Sequence, residues 1–411
     1  MDKGSVKWPA VALAGILLVL AGALPFLRLL TPPEPGPTPG SPASSATPTP
    51  SPTPEPTTAP ETQFQNRIQA ILAGMTLREK LCQMMLVSPS ALTGTSSVTA
   101  AGETLLDALE TYPVGGFLLN TENLVSADQV AALLSDLQSA SPIPLLLTCD
   151  EEGGRVGRLM RTVGTTRLEA MLTFKDQGPE TARQNAATIG GDMAALGFNL
   201  DLAPVADVLT EPSNTVIGDR AYSDDFGQAA QLIPAAVRGF HDGGVACVLK
   251  HFPGHGGTTG DSHYGSAYVH RTLDELRAGE LLPFQAGIDA GADAVMMGHL
   301  IVPDVSEDPA VFSYQLVTGL LRKEMGFSGV IMTDALAMKA ISDHYGDREV
   351  AVRAVQAGVD MLLCPMDLDT AIDALSQAVE RGDIPESRID ESVERILLLK
   401  LDRGVLPLEE N

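Results

Sequence analysis

Beyond residue 63 the hydropathy of the chain repeats one pattern. A short, almost unbroken apolar run is followed by a polar or glycine-rich break and then a longer stretch with apolar residues three or four apart. The short runs fall at Met84–Val87, Gly115–Leu119, Leu145–Cys149, Asn199–Ala203, Ala246–Lys250, Ala294–Met297, Gly329–Thr333 and Asp360–Cys364. Continuous apolar runs predict strands buried on both faces, the environment of a parallel sheet. The longer stretches carry the helical period and predict crossover helices at Ala127–Gln138, Ala182–Leu196, Gly227–His241, Leu273–Ile288, Tyr314–Lys323, Glu349–Gln356 and Thr370–Glu380. Eight strands alternating with helices in about 350 residues predict an α/β fold, a single closed (β/α)8 TIM-type barrel; a doubly wound open sheet is the alternative.

The N-terminal residues break this pattern and divide the chain into 1–30, 31–62 and 63–411. Lys3 and Lys7 precede an uncharged apolar stretch from Trp8 to Leu27, long enough to span a bilayer core with the N-terminus on the cytoplasmic side. Ala21-Gly22-Ala23 also has the small-x-small form of a signal-peptidase site, so a membrane anchor and a cleaved signal peptide are both open. The apolar character that continues from Leu24 to Leu30 favours the anchor. From Thr31 to Thr62 the chain is mostly Pro, Thr, Ser, Ala and Gly, with too few large apolar side chains to offset ordering entropy, which predicts a disordered, extended linker. On either reading the domain from residue 63 is expected outside the cell, single-pass anchored or secreted, with the membrane contacted through the N-terminal segment only.

Charge and cysteine content narrow the classes further. Fifty-two acidic residues against 27 basic ones give a net charge of −25, which disfavours nucleic acid and anionic lipid as partners. Cys82, Cys149, Cys247 and Cys364 are widely spaced, and three of them lie in apolar runs, which suits buried thiols; pairing stays open.

The chemistry is concentrated in Lys250-His-Phe-Pro-Gly-His-Gly256 and the Asp261-Ser-His263 that follows, which gather three imidazoles, an ammonium and a carboxylate on a loop of four glycines. A surface turn or a zinc site built on His-x3-His is the plainer reading. An Asp two residues before a His better suits proton transfer, with Asp261 orienting the ring of His263. Barrel enzymes carry catalytic groups after the C-terminal ends of their strands. Asp150, Asp207, Lys250 with His251, His299 and Asp334 all occupy such positions. Each has a structural alternative: Asp334 a helix N-cap, Asp150 a turn residue, Arg220 a surface partner of Asp219, His255 a loop residue bonded to backbone, and His299 a satisfied core histidine.

Four motifs in order, Asp150 to Arg158, Ile217-Gly-Asp-Arg-Ala-Tyr222, Lys250 to His263 and Thr333-Asp-Ala-Leu-Ala-Met338, make the region from about Phe64 to Leu401 resemble family 3 glycoside hydrolases, in their β-N-acetylglucosaminidase (β-N-acetylhexosaminidase) branch. The resemblance implies a retaining, exo-acting hydrolase of terminal β-linked N-acetylhexosamine, acting on N-acetylglucosamine-containing glycans such as peptidoglycan fragments. It implies Asp334 as nucleophile, His263 held by Asp261 as acid/base, and Asp150, Arg158, Arg220, Lys250 and His251 as sugar-binding residues. It implies neither a metal nor an organic cofactor. Phosphorolysis and β-glucoside hydrolysis within the family, and a non-catalytic carbohydrate-binding protein, are the alternatives. Gly257 stands where the branch usually has Asp or Asn, and the end at Asn411 leaves no room for the second α/β domain of many relatives.

Overall fold

A computed structural model describes residues 60–259 and 267–408. The apolar stretch 8–27, most of the linker, and Asp261 and His263 lie outside the described residues. Among the described residues no helix is long and apolar enough to cross a membrane. The first described helix, Pro60–Gly74, starts just before the boundary that composition sets at residue 63.

Eight parallel strands form the centre: β1 (Met85–Val87), β2 (Gly116–Leu118), β3 (Leu146–Cys149), β4 (Leu200–Asp201), β5 (Ala246–Phe252), β6 (Ala294–Met297), β7 (Val330–Thr333) and β8 (Leu362–Leu363). Each pairs with its neighbour in sequence from β1 to β7, and β8 pairs back onto β1. The Met332–Met361 bridge and the Thr333 N–H donated to the Met361 carbonyl at 3.0 Å bring β7 and β8 together, so the sheet closes as a (β/α)8 barrel. The doubly wound alternative is excluded by the strand order, which has no switch point.

Local chemistry starts and stops the helices around this barrel. Asp225 caps Phe226–Asp242 by accepting the Gln228 N–H, and Asp367 caps Leu368–Glu380 by accepting the Thr370 N–H. Gly197, at φ +100°, ends Pro179–Leu196 in the left-handed conformation that a β-carbon disfavours. The expected helix Leu273–Ile288 is two helices, Leu273–Ala278 and Leu281–Asp289, broken at Gly279, where a β-carbon would fall within 2.8 Å of the Phe226 ring. Gln315–Glu324 is wound more widely than an α-helix, as the Met325 N–H donated to the Leu320 carbonyl shows. All strand runs are found, but two are cut to two residues: β4 is only Leu200–Asp201 and β8 only Leu362–Leu363. Strand β5 instead runs two residues further, with Lys250 and His251 in an irregularity of the ladder between the Leu249–Val295 and Phe252–Met297 pairs.

A single large apolar cluster joins the barrel interior to the helix layer. All four cysteines are free thiols; Cys82, Cys149 and Cys247 are buried and Cys364 is partly exposed.

Candidate active site

All eight strands send residues from their C-terminal ends into one cavity of about 330 Å³, from Ser88 after β1 to Leu363 and Cys364 at β8. That is near the lower end of the range for small-molecule pockets, about 300–1,000 Å³. Its polar lining includes Asp150, Arg158, Arg220, Lys250, His251, His255 and Asp334, with Leu118, Leu202, Met296 and Met338 as apolar wall.

Lys250, the last residue of its apolar run, and His251, one residue beyond it, both lie in β5 and line the cavity. Lys250 Nζ donates to Asp150 Oδ1 at 2.7 Å and meets Glu152 Oε1 at 2.6 Å. Arg220 grips the same Glu152 with two parallel bonds, Nε to Oε2 at 2.7 Å and Nη2 to Oε1 at 2.8 Å. Burial by itself would raise the Glu152 carboxyl pKa, but Arg220 and Lys250 hold it well below the ordinary range. Burial opposes the charge on Lys250 as well, and Asp150 and Glu152 overcome it, so its pKa lies above the usual lysine value. The result is a neutralised lattice of two cations and two carboxylates whose outer member, Asp150, keeps 20% side-chain exposure. Arg158 stands 3.7 Å from the other Asp150 oxygen and is 37% exposed. Its placement at the start of the helix Arg158–Thr162 comes from Glu151, which accepts the Leu159 N–H at 2.7 Å and the Met160 N–H at 3.1 Å. Burial raises the Glu151 carboxyl to about 7.

Asp207, in the loop after β4, organises the next sector. Its Oδ2 is 2.7 Å from His251 Nδ1 and accepts the His251 N–H at 3.1 Å, while its Oδ1 accepts the His255 N–H at 2.6 Å. Although burial opposes ionisation, His251 and His255 hold the Asp207 pKa below its ordinary value, so the carboxylate can only accept. The His251 proton therefore sits on Nδ1, and Nε2 is the nitrogen left for a ligand. Asn214 ties down the same segment by donating to the His255 carbonyl at 2.8 Å, and Thr258 Oγ1 lies 2.8 Å from His255 Nδ1. Gly256 is required by close approach, since a β-carbon there would lie 1.8 Å from the Val208 carbonyl oxygen.

Asp334 follows β7 directly, its N–H donated to the Met297 carbonyl at 3.0 Å. Among the described residues its carboxylate accepts one hydrogen bond, from the Ala335 N–H at 2.7 Å. Burial would raise its pKa, but His299, His251, the Ala335 N–H and Lys250 together lower it. The Asp334 carboxyl is therefore held below its ordinary pKa, with a single backbone donor on one oxygen among the described residues. The N-cap role is excluded: the next helix, Lys339–Ser342, begins after Met338 and has no side-chain cap.

The structure thus brings Asp150, Arg158, Arg220, Lys250, His251 and Asp334 to one pocket, whereas Asp261 and His263 lie outside the described residues. Arg220 pairs with Glu152, and Asp219 is instead the partner of Arg155 at 2.9 Å. His299 is buried, 2% exposed, and donates from Nε2 to the Ala335 carbonyl at 2.9 Å. Sequence reasoning missed Glu152, Asp207 as the carboxylate behind His251, and Asn214. Glu152 had a readable signal, a second acid within the turn that supplies Asp150. Asn214 had none, because its role depends on two loops meeting.

Residues 76–399 match the family described as the glycosyl hydrolase family 3 N-terminal domain. The chain belongs to glycosyl hydrolase family 3. It is 35% identical over 339 residues to a β-hexosaminidase of Mycobacterium tuberculosis, covering 80% of this chain and 84% of that one. A β-hexosaminidase A of Pseudoalteromonas piscicida is 33% identical over 335 residues, 74% of this chain, which spans 56% of that relative's length. Among solved structures, a family 3 β-N-acetylglucosaminidase from a Paenibacillus species superposes with a TM-score of 0.76 at 39% identity, covering 81% of this chain and 63% of that one. The fold and family expected from the four motifs are thereby established.

Proposed function

We propose that this family 3 protein is a retaining, exo-acting β-N-acetylglucosaminidase. The observation that carries the reading is Asp334: a carboxylate with one backbone hydrogen bond among the described residues, at the end of β7, in the pocket that Asp150, Arg158, Lys250 and His251 also line. Its β-hexosaminidase relatives support the choice of sugar. The carboxylate attacks the anomeric carbon while the glycosidic oxygen leaves with a proton from His263, whose ring Asp261 orients. Water, giving a proton back to His263, then displaces Asp334, and two inversions give net retention. Asp150, Arg158, Arg220, Lys250 and His251 hold the hydroxyls of the terminal sugar. The substrate is a β-linked N-acetylglucosamine at the non-reducing end of a peptidoglycan fragment, met outside the cell by a domain tethered through residues 1–30.

Hydrolysis of matched chromogenic β-N-acetylglucosaminide and β-glucoside substrates tests this reading. Preference for the acetamido sugar by at least tenfold in kcat/KM is expected. Preference for the glucoside, or no turnover of either, contradicts it.

A further inference from the structure

The barrel floor gathers three metal-ligating side chains that the glycosidase chemistry does not use. His241 lies in the last turn of the helix Phe226–Asp242, Cys247 is the second residue of β5, and Asp293 immediately precedes β6. Parallel pairing of Val248 with Ala294 sets the residues before them, Cys247 and Asp293, side by side, and the Cys247 N–H donates to Asp293 Oδ2 at 2.9 Å. His241 Nε2 is 2.8 Å from that same oxygen and 3.8 Å from Cys247 Sγ. One nitrogen, one sulfur and one oxygen thus lie within 4.8 Å of one another.

These separations suit ligands of one small ion. Around a tetrahedral zinc, with bonds of about 2.0–2.2 Å to nitrogen and oxygen and about 2.3 Å to sulfur, ligand atoms stand about 3.3–3.6 Å apart. Shifts of about half an ångström in the His241–Asp293 and His241–Cys247 distances reach that geometry. Arg403 Nε, 2.5 Å from Asp293 Oδ1, holds the carboxylate from behind and leaves Oδ2 turned to the other two groups, as outer partners of metal ligands do. Asp293 and Arg403 also line a cavity of about 410 Å³, and the His241 side chain is 19% exposed, so water and ions reach the cluster from outside the barrel.

We propose that His241, Cys247 and Asp293 form a binding site for one zinc-class divalent cation at the floor of the barrel, opposite the glycosidase pocket. A thiolate with an imidazole selects zinc over magnesium or calcium, and thiolate plus carboxylate neutralise its two charges. On binding, the thiol proton leaves to solvent and the imidazole proton moves from Nε2 to Nδ1, so the ion takes the place of the hydrogen between His241 and Asp293. Water fills the fourth position. The ion would tie a helix end to the bases of β5 and β6, a brace with no part in bond cleavage.

The test strips the full-length chain with a chelator and titrates it with cobalt(II), whose bond to a thiolate gives a charge-transfer absorption, and then with zinc. Wild type should show that band at one cobalt per chain and lose it when zinc is added. Cys247→Ser should abolish the band, while Cys364→Ser, in the glycosidase pocket, should keep it. His241→Ala, at a part-exposed position, should weaken zinc binding roughly tenfold or more. Zinc should raise the unfolding temperature of wild type and not that of His241→Ala, because the ion binds only the folded site. A wild-type chain without the band, a band that survives Cys247→Ser, or a zinc affinity unchanged by His241→Ala overturns the site.

Discussion

Both ends of the barrel hold buried charge, and they use it differently. At the N-terminal floor, Asp360 is fully buried and accepts from Arg322 at 2.6 Å, Arg388 at 3.1 Å, Arg395 at 3.0 Å, Ser392 at 3.0 Å and the Ile331 N–H at 3.0 Å. Asp293 is similarly saturated by Arg403 at 2.5 Å, His241 at 2.8 Å and the Cys247 N–H at 2.9 Å. At the C-terminal mouth, Glu152 is saturated in the same way, but Asp334 accepts a single backbone bond. The floor uses every carboxylate oxygen to clasp the C-terminal helix Glu386–Asp402 and its neighbours to the strands. The mouth uses its paired charges as a scaffold and leaves the Asp334 carboxylate with one backbone hydrogen bond among the described residues. Saturation marks structure; an under-satisfied, ionised group held by a rigid frame marks chemistry.

Exchanging charge at the two ends should separate these roles. Asp334→Asn removes the proposed nucleophile and should lower kcat on a chromogenic β-N-acetylglucosaminide on the order of 10⁴-fold, with little change in unfolding free energy. Asp360→Asn should do the reverse, costing about 3–5 kcal/mol in denaturant unfolding because three arginines lose their shared counter-charge. Its kcat per folded molecule should stay within about twofold; a large loss there would erase the distinction between floor and mouth. Glu152→Gln lies between the two, since it frees Lys250 and Arg220 together. A fall in kcat/KM of about 10- to 100-fold is expected, with a measurable loss of stability.

The smallest effect concerns a cation without a counter-ion among the described residues. Lys400 is fully buried, donates to Gln83 Oε1 at 2.8 Å, and is pulled by burial down to about 7. Unfolded lysine titrates near 10.4, so between about 7 and 10.4 the folded state binds fewer protons and stability rises with pH. The penalty is full below 7. Lys400→Met should therefore raise unfolding free energy by about 1–3 kcal/mol at pH 6, the gain shrinking as pH approaches 10. A gain independent of pH would contradict the assignment.

The barrel was legible because continuous apolar runs and helical periods report burial directly, and burial on both faces leaves few architectures. Where the structure departs, tertiary contacts override local pattern. Gly279 breaks a helix whose apolar period runs on, because Phe226 packs against it. Strand β5 extends through Lys250 and His251 because carboxylates from two other loops neutralise or orient them there. The site residues were legible as charged groups at strand ends. Their pairing was not, because Glu152 joins Arg220 across 68 positions and Asp207 joins His251 across 44.

The central claim is that Asp334 forms the glycosyl–enzyme bond. Incubation with a 5-fluoro N-acetylglucosaminyl fluoride, which slows breakdown of that intermediate, followed by mass spectrometry of the digested chain, tests it directly. The account predicts one added sugar per chain, on the peptide containing Asp334. A labelled carboxylate elsewhere, or an active enzyme that never carries label, would contradict it.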